Sequence, residues 1–118
     1  MSVDLSGFGH QESVAVTGNK TLAITDQGTV QNVTASATIT LPATVVGYSF
    51  TIRVGAPGLT VAVSPNSADL IGGAGFTAVD NKDVSFVNQP AGSYITLVGN
   101  GTTGWNITAI SGTGTYES

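Results

Sequence analysis

The chain has 118 residues, of which only 8% are charged: three Lys or Arg and seven Asp or Glu, with one His and no Cys. Ordinary soluble domains carry about 25% charged residues, so the side chains used in acid–base, metal and nucleophilic chemistry are scarce, and a structural or binding module is favoured over an enzyme. The net charge is −4, Lys20, Arg53 and Lys82 are scattered, and no apolar run approaches the roughly 20 residues of a membrane helix, so neither nucleic acid nor membrane is expected as a partner.

Residues 1–18 are predicted to form a flexible N-terminal arm. The segment is rich in small and polar residues, and its sizeable apolar side chains at the start are Val3, Leu5 and Phe8. Three isolated apolar groups cannot offset the entropy of ordering such a segment, so we expect the arm to order only when a partner holds it. Within the arm, residues 13–17 have the pattern of the start of a first strand.

Residues 19–118 are predicted to form one all-β domain, a small antiparallel β-sandwich or jelly roll. Apolar and polar residues alternate with the period of a strand, turn signals recur about every 8–12 residues, and no segment shows the period of a helix. We find no repeat of fixed period. About nine or ten short strands are expected, and the clearest of them lie near residues 21–25, 29–34, 37–41, 48–54, 59–63, 84–87, 93–98 and 105–110.

The strand pattern also predicts which side chains are buried. The predicted core residues share the apolar phase of their strands: Tyr48, Phe50, Ile52, Val54, Leu59, Val61, Val63, Ile95, Leu97 and Ile107. Tyr94 lies out of phase with Ile95 and Leu97 and is expected on the surface. Trp105 follows a turn and is expected to cap one end of the domain.

Three groups of residues resemble chemical sites, and each has a simpler interpretation. His10 and Glu12 lie close in the sequence but lack further ligands for a metal. The carboxylates of Asp80–Asp83 could suggest a calcium loop, but the remaining ligands are missing, so a solvated turn is preferred. The glycine-rich segment Gly99–Gly104 has no Lys and precedes a strand, which favours a hairpin with an Asn-Gly turn over a phosphate loop. We therefore predict no catalytic residue, metal or cofactor.

A longer pattern of motifs is more specific. It consists, in chain order, of Ile39–Pro42 (ITLP), Gly47–Ile52 (GYSFTI), Leu59–Val63 (LTVAV), Asp69–Gly73 (DLIGG), Gly92–Val98 (GSYITLV), Gly101 and Trp105–Ile107 (WNI). This order resembles a small β-domain that is widespread in the virion proteins of tailed bacteriophages. The resemblance covers about residues 20–110.

The resemblance implies two roles. One is a capsid decoration (cement) protein, usually a homotrimer, that binds the outer surface of the head and stabilises the shell of the major capsid protein. The other is a receptor- or glycan-binding domain of a tail fibre, tailspike or head fibre. The small size and the lack of shaft repeats favour decoration on the virion surface, and Val3, Leu5 and Phe8 are the expected capsid contacts.

A third possibility, a small glycosidase, needs two carboxylates about 5–10 Å apart and is disfavoured, since the acids lie mostly at predicted turns and ends.

Overall fold

The computed structural model describes residues 12–66, 69–73, 76–80 and 82–116. The all-β prediction is confirmed, since these residues form twelve strands and a single short 3₁₀ helix. The elements are β1 (Ser13–Val16), β2 (Lys20–Thr21), the 3₁₀ helix (Ile24–Asp26), β3 (Val30–Val33), β4 (Ala37–Thr40), β5 (Ser49–Val54), β6 (Thr60–Ser64), β7 (Leu70–Gly73), β8 (Phe76–Asp80), β9 (Val84–Val87), β10 (Tyr94–Gly99), β11 (Gly104–Ser111) and β12 (Gly114–Tyr116).

The strands form two sheets, and both are mixed where the sequence predicted antiparallel pairing. The seven-stranded sheet has the order β1-β3-β5-β10-β11-β7-β8, and the five-stranded sheet has the order β12-β9-β6-β4-β2. Parallel pairs join β1 to β3, β3 to β5, β2 to β4, β4 to β6 and β7 to β11. The remaining pairs, including the β10–β11 hairpin, are antiparallel.

The parallel pairs arise because the first half of the chain coils. From β1 to β6 the chain alternates between the two sheets, and each return to a sheet adds a strand beside the previous one in the same direction. Parallel neighbours require a crossover connection, and here a strand of the opposite sheet forms part of each crossover. Val14, Gln31 and Ile52 lie side by side in this coil. Their unequal spacing along the chain explains why the sequence shows no fixed period.

Alternating side chains of both sheets bury a single hydrophobic core. The completely buried members include Phe50, Ile52, Val63, Ile95 and Leu97, as predicted. The other predicted core residues Val54, Val61 and Ile107 are buried as well, whereas Tyr48 and Leu59 are half-buried and pack against the core. The period-two pattern therefore identified the inner face of the central strands.

The strand predicted at the end of the arm is confirmed, whereas the segment around Ile24 differs from its predicted structure. Ser13–Val16, inside the predicted arm, is edge strand β1 and pairs with β3. The strand expected near residues 21–25 ends at Thr21, and Ile24 lies in the 3₁₀ helix, where the Asp26 carboxylate accepts a hydrogen bond from the Ala23 N–H at 2.9 Å. Gly114–Tyr116, which is not among the clearest strands predicted, forms β12 and pairs with β9.

A buried glutamine breaks the apolar pattern of β3. Gln31 is fully buried and faces inward beside Ile52. Its side-chain oxygen accepts a hydrogen bond from Lys20 Nζ at 2.8 Å, and its Nε2 donates to Thr29 Oγ1 at 2.6 Å. Lys20 also lies 3.8 Å from an Asp26 carboxylate oxygen. These partners satisfy the polar atoms of Gln31, which would otherwise be costly to bury.

Candidate functional site

The predicted capsid contacts Val3, Leu5 and Phe8 lie outside the described residues, but the structure shows where their segment joins the domain. The carbonyl of Glu12 accepts a hydrogen bond from the Val30 N–H at 2.8 Å. The arm therefore joins the domain where β1 and β3 begin. We call this end of the sheets, which also carries the segments 22–29, 41–48 and 99–104, the arm end.

Two exposed apolar side chains mark the arm end. Val46 is 72% exposed in the loop between β4 and β5, and Ile24 is 48% exposed in the 3₁₀ helix. Both segments adjoin the start of β5: the Gly28 N–H donates to the Ser49 carbonyl at 2.8 Å, and the loop that carries Val46 leads directly into this strand. Apolar side chains held at the same end of the domain as the arm's attachment form a candidate contact surface.

The loop that carries Val46 is held firmly from both sides. The Thr44 N–H donates to the buried Asp69 carboxylate at 2.9 Å, and Thr44 Oγ1 donates to the Gly104 carbonyl at 2.6 Å. The same hydroxyl accepts a hydrogen bond from the Gly101 N–H at 3.1 Å. Val46 is thus presented on a fixed loop, so little entropy is lost when a partner covers it.

The hairpin predicted at Gly99–Gly104 is confirmed, although Asn100 acts in a different way from that expected. Its backbone does not take the positive φ that a primed turn needs. Its side-chain oxygen instead accepts hydrogen bonds from the N–H groups of Thr102, Thr103 and Gly104 at 2.9–3.0 Å. The side chain thereby holds the loop together, as Asn does in Asx turns.

A second candidate surface is a groove on the outer face of the seven-stranded sheet. It is an open depression of about 350 Å³ and is lined by Val30, Thr51, Arg53, Gly92, Tyr94 and Thr96. The β5–β10 register places Arg53 opposite Tyr94 and Thr51 opposite Thr96. Neither pairing is visible in the sequence. Tyr94, which was expected on the surface, is half-buried in the structure.

The polar groups of this groove are partly ordered by one another. Arg53 Nη1 donates to Asn32 Oδ1 at 2.6 Å, and Asn32 lies directly across from it on β3. The hydroxyls of Thr51 and Thr96 lie 2.9 Å apart and share one hydrogen bond. A guanidinium has five N–H donors and each hydroxyl can both donate and accept, so capacity remains for a ligand.

The outer face of the five-stranded sheet is different, because small uncharged side chains cover its central strands. Thr38 and Thr40 of β4, Ala62 and Ser64 of β6 and Ser85 of β9 are half-buried on this side. The central strands of this face therefore present hydroxyls and methyl groups rather than charged side chains.

The segments weighed as chemical sites do not assemble one in the part of the chain that is described. His10 lies outside it, and no group of three or more His, Cys, Asp or Glu within it could hold a metal. Asp80 ends strand β8, and Lys82 and Asp83 connect it to β9. Of the aromatic residues, Phe50 and Trp105 are buried and pack edge to face with ring centroids 5.4 Å apart.

None of the helices formed by the described residues is long and apolar enough to cross a membrane. Comparison of the chain with protein-family models, curated proteins and solved structures finds no match.

Proposed function

We propose that this chain is a virion structural protein, a decoration (cement) protein that binds the outer surface of a tailed-phage head and stabilises the shell of the major capsid protein. The observation that carries the proposal is the arm end. Glu12, where the arm joins the domain, lies at the same end as the exposed Val46 and Ile24. In this proposal the two sheets are the layers of a β-sandwich or jelly roll, because both contribute to one core.

The arm and the arm end would contribute different kinds of contact. Burying an apolar side chain such as Phe8 contributes about 1.5–3 kcal/mol, before the cost of ordering the arm. Val46 lies on a loop that is already fixed, so its burial carries a smaller ordering cost. Weak contacts suffice on a shell that offers many equivalent sites if each molecule engages several of them at once. The low charge of the chain makes such binding insensitive to salt.

The second part of the proposal is a homotrimer, either free or assembled on the shell. Two properties support it besides the resemblance to phage decoration domains. The outer face of the five-stranded sheet is uncharged on its central strands. Within the described residues, the sheets end at β1, β2, β8 and β12, and an assembly would cover these edges. Sedimentation velocity of the free protein and symmetry in a cryo-EM map of the particle test this, and a monomer in both states would exclude it.

Deletion of the arm tests the decoration function. Removing residues 2–11 keeps Glu12 and its hydrogen bond to Val30, so we expect the melting temperature to stay nearly unchanged. Binding to expanded empty capsids of the encoding phage, measured by cosedimentation, should weaken at least about tenfold, which corresponds to the burial of one such side chain. Val46→Ser should weaken it as well, while the control Val87→Ser, which changes an exposed valine at the opposite end, should not.

Two results would contradict the proposal. If the deletion leaves capsid occupancy unchanged, the arm is not the contact, and the segments 72–75 and 80–83 become the next surfaces to test. If the intact protein fails to bind capsids but binds neutral and acidic glycans on an array, the fibre-type receptor-binding role is correct instead.

A further inference from the structure

The groove on the seven-stranded sheet contains a cation that has no carboxylate partner among the described residues. Lys20 lies 3.8 Å from an Asp26 carboxylate, whereas no carboxylate of the described residues lies within ion-pair distance of Arg53. The one described partner of the Arg53 side chain is the neutral Asn32, through Nη1. In a chain with three cations and a net charge of −4, a positioned guanidinium with N–H groups to spare indicates an anionic ligand.

The other side chains of the groove narrow the chemistry of that ligand. Tyr94, opposite Arg53 on the neighbouring strand, contributes an aromatic side chain with a polar tip. Thr51 and Thr96 contribute two hydroxyls that share one hydrogen bond between them and can bond further. An aromatic ring, hydroxyls and one guanidinium match a ligand with a hydrophobic face, several hydroxyls and a single negative charge.

We propose that this groove binds an acidic sugar residue, a hexuronate or a sugar of similar chemistry, with its carboxylate on Arg53 and its ring beside Tyr94. The groove, at about 350 Å³, falls at the lower end of the range for small-molecule sites and suits one or two sugar residues. A phosphate ligand fits less well, because a phosphoryl group carries a charge of about −1.5 to −2, whereas the single guanidinium of the groove balances the one negative charge of a carboxylate. The proposal does not depend on the capsid function, since the groove lies on a sheet face and the arm end is formed by loops.

The test is a titration followed by NMR of the ¹⁵N-labelled full chain, with digalacturonate as the probe and the corresponding neutral digalactose as the matched ligand. We expect saturable shifts of the backbone amides of Thr51, Arg53, Tyr94 and Thr96 with the acidic disaccharide, and much weaker binding of the neutral one. The difference should shrink as salt is raised, because the ion pair is partly exposed.

Variants separate a specific site from general attraction of an anion. Arg53→Gln should weaken digalacturonate binding at least about tenfold, as expected for the loss of a charge-assisted, bidentate contact. Arg53→Lys keeps the positive charge but lacks the planar N–H donors of the guanidinium, so it should bind digalacturonate more tightly than Arg53→Gln but more weakly than the unchanged protein. The control Lys82→Gln removes the same charge from the connection before β9 and should leave the affinity within about twofold. Circular dichroism confirms that each variant is folded, and if Arg53→Gln is not, Arg53→Lys and Tyr94→Ala replace it.

Several outcomes overturn the proposal. The site would be excluded if both disaccharides bind equally well, or if the chemical-shift changes are centred on residues outside the groove. Equal losses of digalacturonate affinity for Arg53→Gln and Lys82→Gln would exclude it too. If digalacturonate does not bind while Arg53→Gln abolishes capsid binding, the guanidinium recognises a carboxylate of the shell protein, and the sugar site is wrong. If capsids no longer bind after arm deletion but digalacturonate still does, both proposals stand separately.

Discussion

Replacement of Phe50 by alanine tests the inner face of the central strand directly. Phe50 is fully buried in β5, lies opposite Leu97 of β10, and packs edge to face on Trp105 at an interplanar angle of 62°. Removing a buried phenylalanine costs about 3–5 kcal/mol, and about 0.5–1.5 kcal/mol of that comes from the aromatic pair. Since domains are typically stable by about 5–15 kcal/mol, we expect a large fraction of the stability to be lost.

The assay is equilibrium urea unfolding followed by far-UV circular dichroism. The single tryptophan gives a second probe by fluorescence, but it touches the mutated site, so circular dichroism is the primary signal. At roughly 4 °C per kcal/mol for a domain of this size, the melting temperature should fall by on the order of 10–20 °C. The control is Val87→Ala, which truncates a half-exposed valine and should change the free energy of unfolding by less than about 0.5 kcal/mol. A loss below about 1 kcal/mol for Phe50→Ala, or equal losses for both variants, would show that the register of β5 is incorrect.

Two further substitutions test other features of the core. The indole Nε1 of Trp105 is buried without a hydrogen-bond partner among the described residues. Removing this unsatisfied donor should offset most of the free energy that is lost with the contacts of the larger ring, so Trp105→Phe should cost less than about 1 kcal/mol in thermal and urea unfolding. A loss above about 2 kcal/mol would indicate a hidden partner of Nε1. Gly104→Ala would place its Cβ against the backbone of Leu70 on the paired strand β7, whereas a Cβ at Gly18 meets nothing within 4 Å. We expect the free energy of unfolding to fall by more than about 2 kcal/mol for Gly104→Ala and to change very little for the control Gly18→Ala. Similar losses for the two variants in urea titrations would disprove the close approach.

The sequence predicts local structure far better than it predicts strand partners. Alternation along Ser49–Val54 determines which face is buried, because side chains on a strand point to opposite sides. Nothing within Val30–Val33 specifies that it lies between β1 and β5, since its partners are distant in the chain and parallel. The polar Gln31 obscures the pattern further, and its burial depends on Lys20, which is eleven residues away. The antiparallel prediction failed for these reasons.

The candidate surfaces were predictable only in part. The sequence assigned Tyr94 to the surface, but its pairing with Arg53 requires the β5–β10 register. Ile24 was predicted as part of a strand, and its exposure follows from the 3₁₀ helix in which it lies. Val46 carries no sequence signal, because its exposure depends on the hydrogen bonds that fix Thr44.

The parallel pairing of β1 with β3 has a mechanical consequence. A shell that held the arm would pull on the chain at Glu12, where β1 begins. We consider a pull directed away from the domain along the strand axis. Under such a load the hydrogen bonds between β1 and β3 are strained together in shear, whereas a force across the strands would open them one at a time. The short edge strand can therefore transmit tension from the arm to the core with more resistance than its four residues suggest.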